Sequence, residues 1–371
     1  MMKPKKEGIV IGGYYGFGSI GDEAILDLIL ESVRETSFFE TVYVISKRGG
    51  NGENAVEISR FSLLRIVYTF IKCRVFIFGG GSLLQDSTSK RSLWYYEALL
   101  LLAKVCGCKI YIFANGIGPV SQRRALKKLL SFADRVSVRD PESYEILKSL
   151  EMDVEVDLRA DPVFKRAKGD YKKRPLACLC ALSGKRYFAV SLRSCKRKGD
   201  IDLIALCTVI SRIREEGLVP LYVPMQREYD LDICRRARLM TGGVIADARD
   251  IDDVMQVLSG AEFSIGMRLH FLIASAIVKT PLLALSYDRK VKSAALYLGL
   301  DFVADAFDFS AEELYSLLSK ARAKADMNEL FEKVAELCAL GEEDLRSLSS
   351  FVRAEAGEAE KKQERAEQVS G

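Results

Sequence analysis

The chain has a single histidine, His270, so any imidazole chemistry it performs rests on one side chain. It has no excess of either charge: 55 basic residues stand against 51 acidic ones, a formal net charge of +4. That balance excludes a general nucleic-acid binder, which needs a strongly basic surface. It has no C-x-x-C pair. Cys106 and Cys108 form one C-x-C and Cys178 and Cys180 another, neither with the spacing of a zinc or redox site. Nine cysteines cannot all pair within one chain, and they read as buried reduced thiols of a cytosolic protein.

A long apolar run is also missing. The most apolar stretch, Leu93–Ala114, is interrupted by Glu97, Lys104 and Lys109 and turns at Gly107. A membrane span wants about 20 unbroken apolar residues, so a buried helix followed by a buried strand is expected here. The start, MMKPKKEGIVIGG, is basic but runs straight into a strand, unlike a signal peptide or an anchor. A cytoplasmic location is expected, with association at the inner face of the membrane left open.

What the chain does have is a rhythm. Short apolar runs, Gly8–Gly12, Thr41–Ser46, Val75–Phe78, Lys109–Ala114, Arg135–Arg139 and Glu155–Leu158, alternate with amphipathic stretches such as Glu23–Glu35. The second half repeats it with Tyr187–Leu192, Leu218–Val223, Gly243–Ala246, Phe263–Gly266, Pro281–Ser286 and Phe302–Ala304. Such alternation predicts an α/β fold: two Rossmann-like, doubly wound parallel-sheet domains facing a cleft, with function at the carboxyl ends of the strands. The charged, less periodic stretch Lys165–Lys185 marks the boundary, giving domains at 1–168 and 183–325. A helical segment at 326–352 and a frayed or disordered tail at 353–371 follow.

Three glycine-rich turns follow strands in the first half. GGYYGFGSIGDEAIL places Gly16, Gly18 and Gly21 in a G-x-G-x-x-G pattern that opens a helix. Asp22 and Glu23 at the helix start, and Lys47 and Arg48 after the second strand, do not suit a dinucleotide pyrophosphate and ribose, although NADP stays open. Asp22 as a helix N-cap, and a loop whose Ser19, Asp22 and Glu23 bind sugar hydroxyls, are the other readings. GGGSLLQD brings Gly79, Gly80, Gly81, Ser82, Gln85 and Asp86 to the next strand end, and its consecutive glycines let a ligand approach backbone. ANGIGP supplies Asn115. Three such turns after parallel strands build a common cleft. Arg139 closes a strand before Asp140-Pro141 opens a helix, which leaves a choice between the same rim and a surface salt bridge.

In the second half, Met267-Arg268-Leu269-His270 leads from a strand into an apolar helix, and SYDRKVK brings Tyr287, Asp288, Arg289, Lys290 and Lys292 to the neighbouring strand end. An imidazole beside an arginine and helix N-terminal amides suits proton transfer on an anionic substrate. The basic cluster from Lys165 to Lys198, with Lys172, Lys173, Arg174, Lys185, Arg186, Lys196 and Arg197, reads as a solvated linker or as a contact for anionic lipid headgroups or a lipid-linked pyrophosphate.

Taken as an ordered set, GYYGFGSIGDEAIL, GGGSLLQD, ANGIGP, SVRD, ADPVF, GMRLH and SYDRKVK resemble the polysaccharide pyruvyl transferase family, most of all its bacterial cell-wall (CsaB-type) branch. The resemblance runs from about Ile9 to about Leu300. It implies a GT-B-like fold, an acceptor-side first domain and a donor-side second domain. It also implies phosphoenolpyruvate as co-substrate with no further cofactor or metal. The implied acceptor is an N-acetylmannosamine of a lipid-linked secondary cell-wall polysaccharide precursor, a polymer that anchors surface-layer proteins. The family's donor residues fall on Arg139, Arg268, Leu269, His270 and Lys290, with Arg139 and His270 catalytic. Ser19 and Asn115 depart from the Asn and Gln more often found in relatives, which touches acceptor detail. A nucleotide-sugar glycosyltransferase of GT-B fold and a non-catalytic wall-polymer binding protein remain the alternatives, and the oligomeric state is not legible.

Overall fold

The computed structural model describes residues 8–37, 39, 41–47, 49–51, 55–84, 90–118, 123–168, 173–195, 201–323 and 328–370. The chain forms two compact units. One holds the described residues up to Phe17, Ile25–Pro162 and those from Ala339 onward; the other holds Gly18–Ala24 and Val163–Cys338. The units are therefore interleaved in sequence, unlike the contiguous blocks that composition suggests.

The first unit contains β1 (Gly8–Tyr15), β2 (Thr41–Ser46), β3 (Gly50–Asn51), β4 (Val56–Ser59), β5 (Cys73–Leu84), β6 (Lys109–Ile117), β7 (Arg135–Val138) and β8 (Val156–Leu158). They form one sheet in the order β3-β4-β2-β1-β5-β6-β7-β8, parallel except for the short β3–β4 pair. Its central strands are buried on both faces: Ile9, Val10, Ile11 and Val75–Phe78 are all inaccessible, which is why they read as unbroken apolar runs. Strands β3 and β4 are not announced by that pattern. The β4 sequence VEIS carries Glu57, which accepts a hydrogen bond from Ser46 Oγ at 2.7 Å, so a polar side chain is satisfied within the sheet edge.

The second unit contains β9 (Tyr187–Ser191), β10 (Val219–Tyr222), β11 (Val244–Ile245), β12 (Ser264–Gly266), β13 (Leu282–Ser286) and β14 (Val303–Asp305). Its sheet order is β11-β10-β9-β12-β13-β14, all parallel. Counted within each unit, both sheets run outward from the first strand on one side and then restart on the other. The strand order reverses between β1 and β5 and between β9 and β12. Loops leaving two strands at such a reversal diverge, and ligands of doubly wound sheets bind in the crevice so formed.

The last helix, Asn328–Ser370, is continuous through the stretch whose composition suggests fraying. Beyond Ala339 it is packed into the first unit. Val352 is inaccessible, and Glu355 and Ala356 are buried, with Glu355 paired to Arg74 at 3.1 Å. Ser32 Oγ donates to Leu345 O at 2.9 Å, and the Phe351 ring lies 5.3 Å from that of Tyr111. Asp344 of the same helix is inaccessible and accepts from Tyr111 Oη at 3.0 Å and Ser137 Oγ at 2.9 Å. The apolar stretch from Leu93 forms helix Lys90–Val105 and then β6, but the helix is not wholly buried: Trp94, Leu101 and Val105 face solvent. Among the described residues, no helix is long and apolar enough to cross a membrane. None of the nine cysteines is in a disulfide; Cys180 is exposed, Cys106 and Cys195 are half-buried, and the rest are buried.

Burial raises the Asp344 carboxyl to about 7, against the lowering pull of its two hydroxyl donors. The native state thus holds this proton more tightly than the unfolded chain, so its stabilising contribution is fully present below the unfolded carboxylate pKa. That contribution is lost as pH rises towards 7. An Asp344→Asn variant keeps an acceptor without the charge. Its unfolding free energy should match or fall below that of wild type near pH 4 and exceed it at pH 8, by a margin on the order of a few kcal/mol, and its melting temperature should shift in the same sense. Thermal melts across that range check this; a constant difference at all pH values contradicts it.

Candidate active site

The carboxyl ends of β10, β9, β12 and β13 gather most of the chemistry-bearing residues of the second unit. Leaving β12, Met267 N donates to Ser191 O of β9 at 2.9 Å, and Arg268 occupies the N-cap position of helix Leu269–Ile277. Gly266 is required at that bend, because a methyl there would stand 2.4 Å from the Phe271 ring as the helix folds back on the strand. Phe271 N and Leu272 N both donate to Arg268 O, at 3.0 and 3.1 Å. The amides of Leu269 and His270 lie ahead of them in the first turn of the helix.

Arg268 is not a bare cation. Its guanidinium donates from Nε and Nη2 to the two oxygens of Asp230, a fully buried carboxylate, with Nε–Oδ2 at 3.0 Å. Burial lowers its pKa, but the Asp230 charge and hydrogen bonds outweigh this, with a smaller contribution from Asp22, and hold it above the usual value. Asp230 also accepts from Gln226 N at 2.9 Å, and Gln226 Oε1 accepts from Arg268 at 3.4 Å. Pairing of this kind fixes a guanidinium plane while neutralising much of its charge. Asp230 and Gln226 have no motif around them, and only the fold reveals their part.

The segment Gly18–Ala24 packs on the same strand ends. Ile20 N donates to Met225 O at 3.0 Å, and Ser19 bridges to Gln226. Ser19 precedes helix Ile20–Arg34, and its hydroxyl donates to Asp22, so Ser19 and not Asp22 stands at the cap position. A methyl added at Gly21 would stand 1.9 Å from His270 Nδ1 and 2.1 Å from His270 Cγ. The third glycine of G-x-G-x-x-G is thus explained by an imidazole lying against its backbone. Asp22 and Glu23 accompany it in the first turn of that helix.

Strand β9 ends in Ser191 and Leu192, and Arg193 follows at the reversal of strand order. Arg193 Nη1 donates to Tyr287 Oη, and its guanidinium lies 4.6 Å from the centre of the Tyr287 ring. No carboxylate pairs with Arg193 among the described residues. Burial pushes the Tyr287 hydroxyl up to about 12, against the pull of Arg193. Arg193 sits just past the predicted strand Tyr187–Leu192 in a stretch crowded with other basics, and position at a strand end was the one signal for it. Asp288 caps helix Arg289–Tyr297 by accepting from Val291 N at 2.9 Å, and places Lys290 in its first turn.

The first unit joins other motifs. Arg139, after β7, pairs with Asp161 at 2.6 Å, both side chains nearly inaccessible, so SVRD and ADPVF meet in a buried ion pair instead of a surface bridge. Asp140 caps helix Pro141–Lys148 by accepting from Ser143 N at 2.8 Å, and Ser143 Oγ accepts from Ile117 N at 2.8 Å, tying in ANGIGP. Asn115 is inaccessible; its Nδ2 donates to Phe78 O at 3.0 Å and Phe113 O at 3.1 Å, and its Oδ1 has no donor among the described residues. The glycine run of β5 serves packing at its first two positions. A methyl at Gly79 would meet Ile29 at 2.5 Å, and one at Gly80 would meet Ile25 at 2.3 Å, so helix Ile20–Arg34 fills the space that the sequence assigned to a ligand. Gly16 (φ +75°) needs its left-handed backbone beside Lys47 N, and Gly81 has φ +88°. Ser82 lies within β5, and Gln85 and Asp86 lie outside the described residues. Among the described residues, no three His, Cys, Asp or Glu side chains are grouped as metal ligands.

The sequence profile described as polysaccharide pyruvyl transferase matches residues 20–289, which spans both the His270 cluster and the Arg139 pair. The chain belongs to the polysaccharide pyruvyl transferase family. It is a family of transferases, so the strand-end cluster belongs to an enzyme. None of the curated proteins compared with the chain matches it. Solved structures do. The UDP-GlcNAc 2-epimerase from Methanocaldococcus jannaschii is 12% identical, covers 92% of this chain and 99% of its own, and superposes with a TM-score of 0.63. A putative UDP-N-acetylglucosamine 2-epimerase from Listeria monocytogenes gives 12%, 89% and 91%, and 0.63. A glycosyltransferase from Rickettsia africae ESF-5 gives 11%, 94% and 98%, and 0.59. These likenesses carry the fold: two parallel-sheet α/β units of the GT-B kind.

Replacing Gly21 with alanine should push the His270 imidazole from its seat without disturbing a core. Turnover is expected to fall by about 10²-fold or more, as for a misplaced reacting group, with the melting temperature little changed. Steady-state rates alongside a thermal melt check this; wild-type turnover in a folded Gly21→Ala variant contradicts it.

Proposed function

We propose that this pyruvyl transferase moves the pyruvyl group of phosphoenolpyruvate onto an N-acetylmannosamine of a lipid-linked secondary cell-wall polysaccharide precursor, as CsaB-type members do. The observation that carries the reading is the seating of His270, the chain's only imidazole, on Gly21 beside the Arg268–Asp230 pair at the strand ends of the second unit. Family membership supports a pyruvyl donor and a sugar acceptor.

Phosphoenolpyruvate carries a carboxylate and a phosphate on three carbons, and its recognition needs several cations of defined orientation. In this reading Arg268, its plane fixed by Asp230, gives orientation, and Arg193 gives the net positive charge. Leu269 and His270 present their helix-end amides to an anionic oxygen. Lys290 adds a compact charge. Arg139, held by Asp161, keeps its assignment as a donor and catalytic residue.

The reaction begins with a proton delivered to the methylene carbon, which leaves a cationic centre at the carbon bearing the phosphate ester. A sugar hydroxyl attacks that carbon and gives up its proton. The carbon–oxygen bond to phosphate breaks, a second hydroxyl of the same sugar closes the ring and loses its proton, and inorganic phosphate departs. One proton is consumed and two are released, one of which accompanies phosphate. His270 carries a proton transfer in this sequence, a role worth on the order of 10²–10⁴-fold. In the acceptor role, Gly16, Gly18, Ser19, Asp22, Glu23, Gly81 and Ser82 supply backbone and polar groups for sugar hydroxyls, whereas Gly80 and Asn115 act from buried positions that shape the strand ends.

Incubation with phosphoenolpyruvate and a synthetic lipid-linked disaccharide should release phosphate and form a ketal. His270→Ala should abolish both while the protein stays folded. Arg193→Ala should raise the KM for phosphoenolpyruvate by about 10–100-fold, the loss of a charge-assisted contact. Release of a nucleotide from a nucleotide-sugar in place of phosphate, or near-normal turnover without His270, contradicts the proposal.

A further inference from the structure

Helix Leu63–Lys72 of the first unit is apolar on two faces. Ile66, Thr69 and Phe70 point into the core, where Phe70 packs edge-on to Phe76 with ring centres 5.0 Å apart. The outward face should then be polar. Instead Phe61 is 80% exposed and Leu64 86%, and Leu63, Tyr68 and Ile71 are exposed with them. Phe61, Leu64, Tyr68 and Ile71 recur at spacings of three and four, a single outward stripe.

The charges along this segment have one sign. From Arg60 to Lys72 the chain carries Arg60, Arg65 and Lys72 and no acidic residue. The cations accompany the rings: Lys72 Nζ lies 4.6 Å from the centre of Tyr68, and Arg60 lies 5.9 Å from that of Phe61. Arg60 also lies 4.2 Å from the Tyr95 ring of the adjacent helix Lys90–Val105, whose exposed side chains Trp94, Leu101 and Val105 make a second apolar stripe. Beside the first helix a cavity of about 320 Å³ opens, lined by Tyr43, Val56, Ile58, Arg65 and Tyr68 among others, with Glu57 the one acid at its wall.

We propose that this face is a membrane-docking surface that seats the first unit on a bilayer with anionic headgroups. An outward apolar stripe on a segment whose only charged residues are arginine and lysine is the composition of an interfacial helix, and the charge is complementary to anionic lipid. In the long basic stretch that sequence alone suggests for this role, Lys172, Lys196, Arg197 and Lys198 lie outside the described residues, and two of the described arginines are paired. Arg174 is paired with Asp250 and Asp253, and Arg186 with Glu262. The surface gains a purpose from the reading of a lipid-linked acceptor, but its evidence is the composition of the face.

The test is co-sedimentation of the full chain with phosphatidylcholine vesicles containing or lacking phosphatidylglycerol, at low and high salt. Wild type should partition onto the anionic vesicles and weaken as salt rises. Leu64→Asp/Tyr68→Asp should reduce partition by about tenfold or more, and Arg65→Ala/Lys72→Ala by about fivefold for each charge removed. Both variants should turn over a short-chain, water-soluble acceptor at wild-type rates, so vesicle binding with no pyruvyl transfer would sink the function and leave the surface standing. Failure of wild type to bind anionic vesicles overturns the proposal, as does undiminished binding by Leu64→Asp/Tyr68→Asp. So does a wild-type dimer that these substitutions dissociate, which would assign the face to a second copy of the chain.

Discussion

The contact between the backbone of Gly21 and the ring of His270 sets the terms for the rest of the site. An imidazole is useful in proton transfer only when its orientation is fixed, and a side chain on the first turn of an apolar helix has little beyond itself to fix it. Here the residue ahead of it, Arg268, is clamped by the buried carboxylate of Asp230, and the space on one side of the ring is closed by a residue with no side chain. The same loop that supplies Gly21 is bonded to Met225 and Gln226, and Gln226 is bonded in turn to Asp230 and Arg268. Loop, clamp and imidazole form one connected set, built on the ends of β10 and β12, which flank β9 in the sheet.

That arrangement changes the meaning of several cations. Arginines at strand ends invite the reading that each contributes a charge to an anionic substrate. Arg139 and Arg268 are both held by nearly inaccessible aspartates, and a charge already paired in a dry setting orients more than it attracts. Arg193 stands apart, because its contacts are an aromatic ring and a phenol oxygen. In the proposed reading, attraction of a doubly charged donor falls to Arg193 and to helix amides, with the paired arginines supplying geometry. The division matches the needs of a small anion that must be both captured and aligned.

The fold was legible because parallel strands buried on both faces leave an apolar signature, and Thr41–Ser46 was bounded by it to the residue. Val56–Ser59 was not, because a short strand next to the sheet edge, with Glu57 hydrogen-bonded to Ser46, carries no such signature. The positions of His270 and Arg268 at a strand end could be read from the run FSIGMRLH. Their partners could not: Asp230 lies in the first turn of an ordinary amphipathic helix, where acids are common, and nothing local distinguishes it from a solvated one. The glycines misled for a related reason. A glycine records that something comes close, and only the structure says whether it is a ligand, an isoleucine as at Gly79 and Gly80, or an imidazole as at Gly21. The last helix shows the same limit: the buried Leu345, Leu348 and Val352 dock it ahead of Arg353, and the apolar residues beyond are too sparse to form a visible period.

The central claim is that the donor sits against the imidazole at the strand ends of the second unit. A crystal structure with phosphoenolpyruvate bound tests it most directly. The account predicts the donor's phosphate and carboxylate within hydrogen-bonding distance of Arg193 and the Leu269 and His270 amides, with the methylene carbon facing the His270 ring. Density for the donor at any site that leaves Gly21, Arg268 and His270 untouched would contradict it.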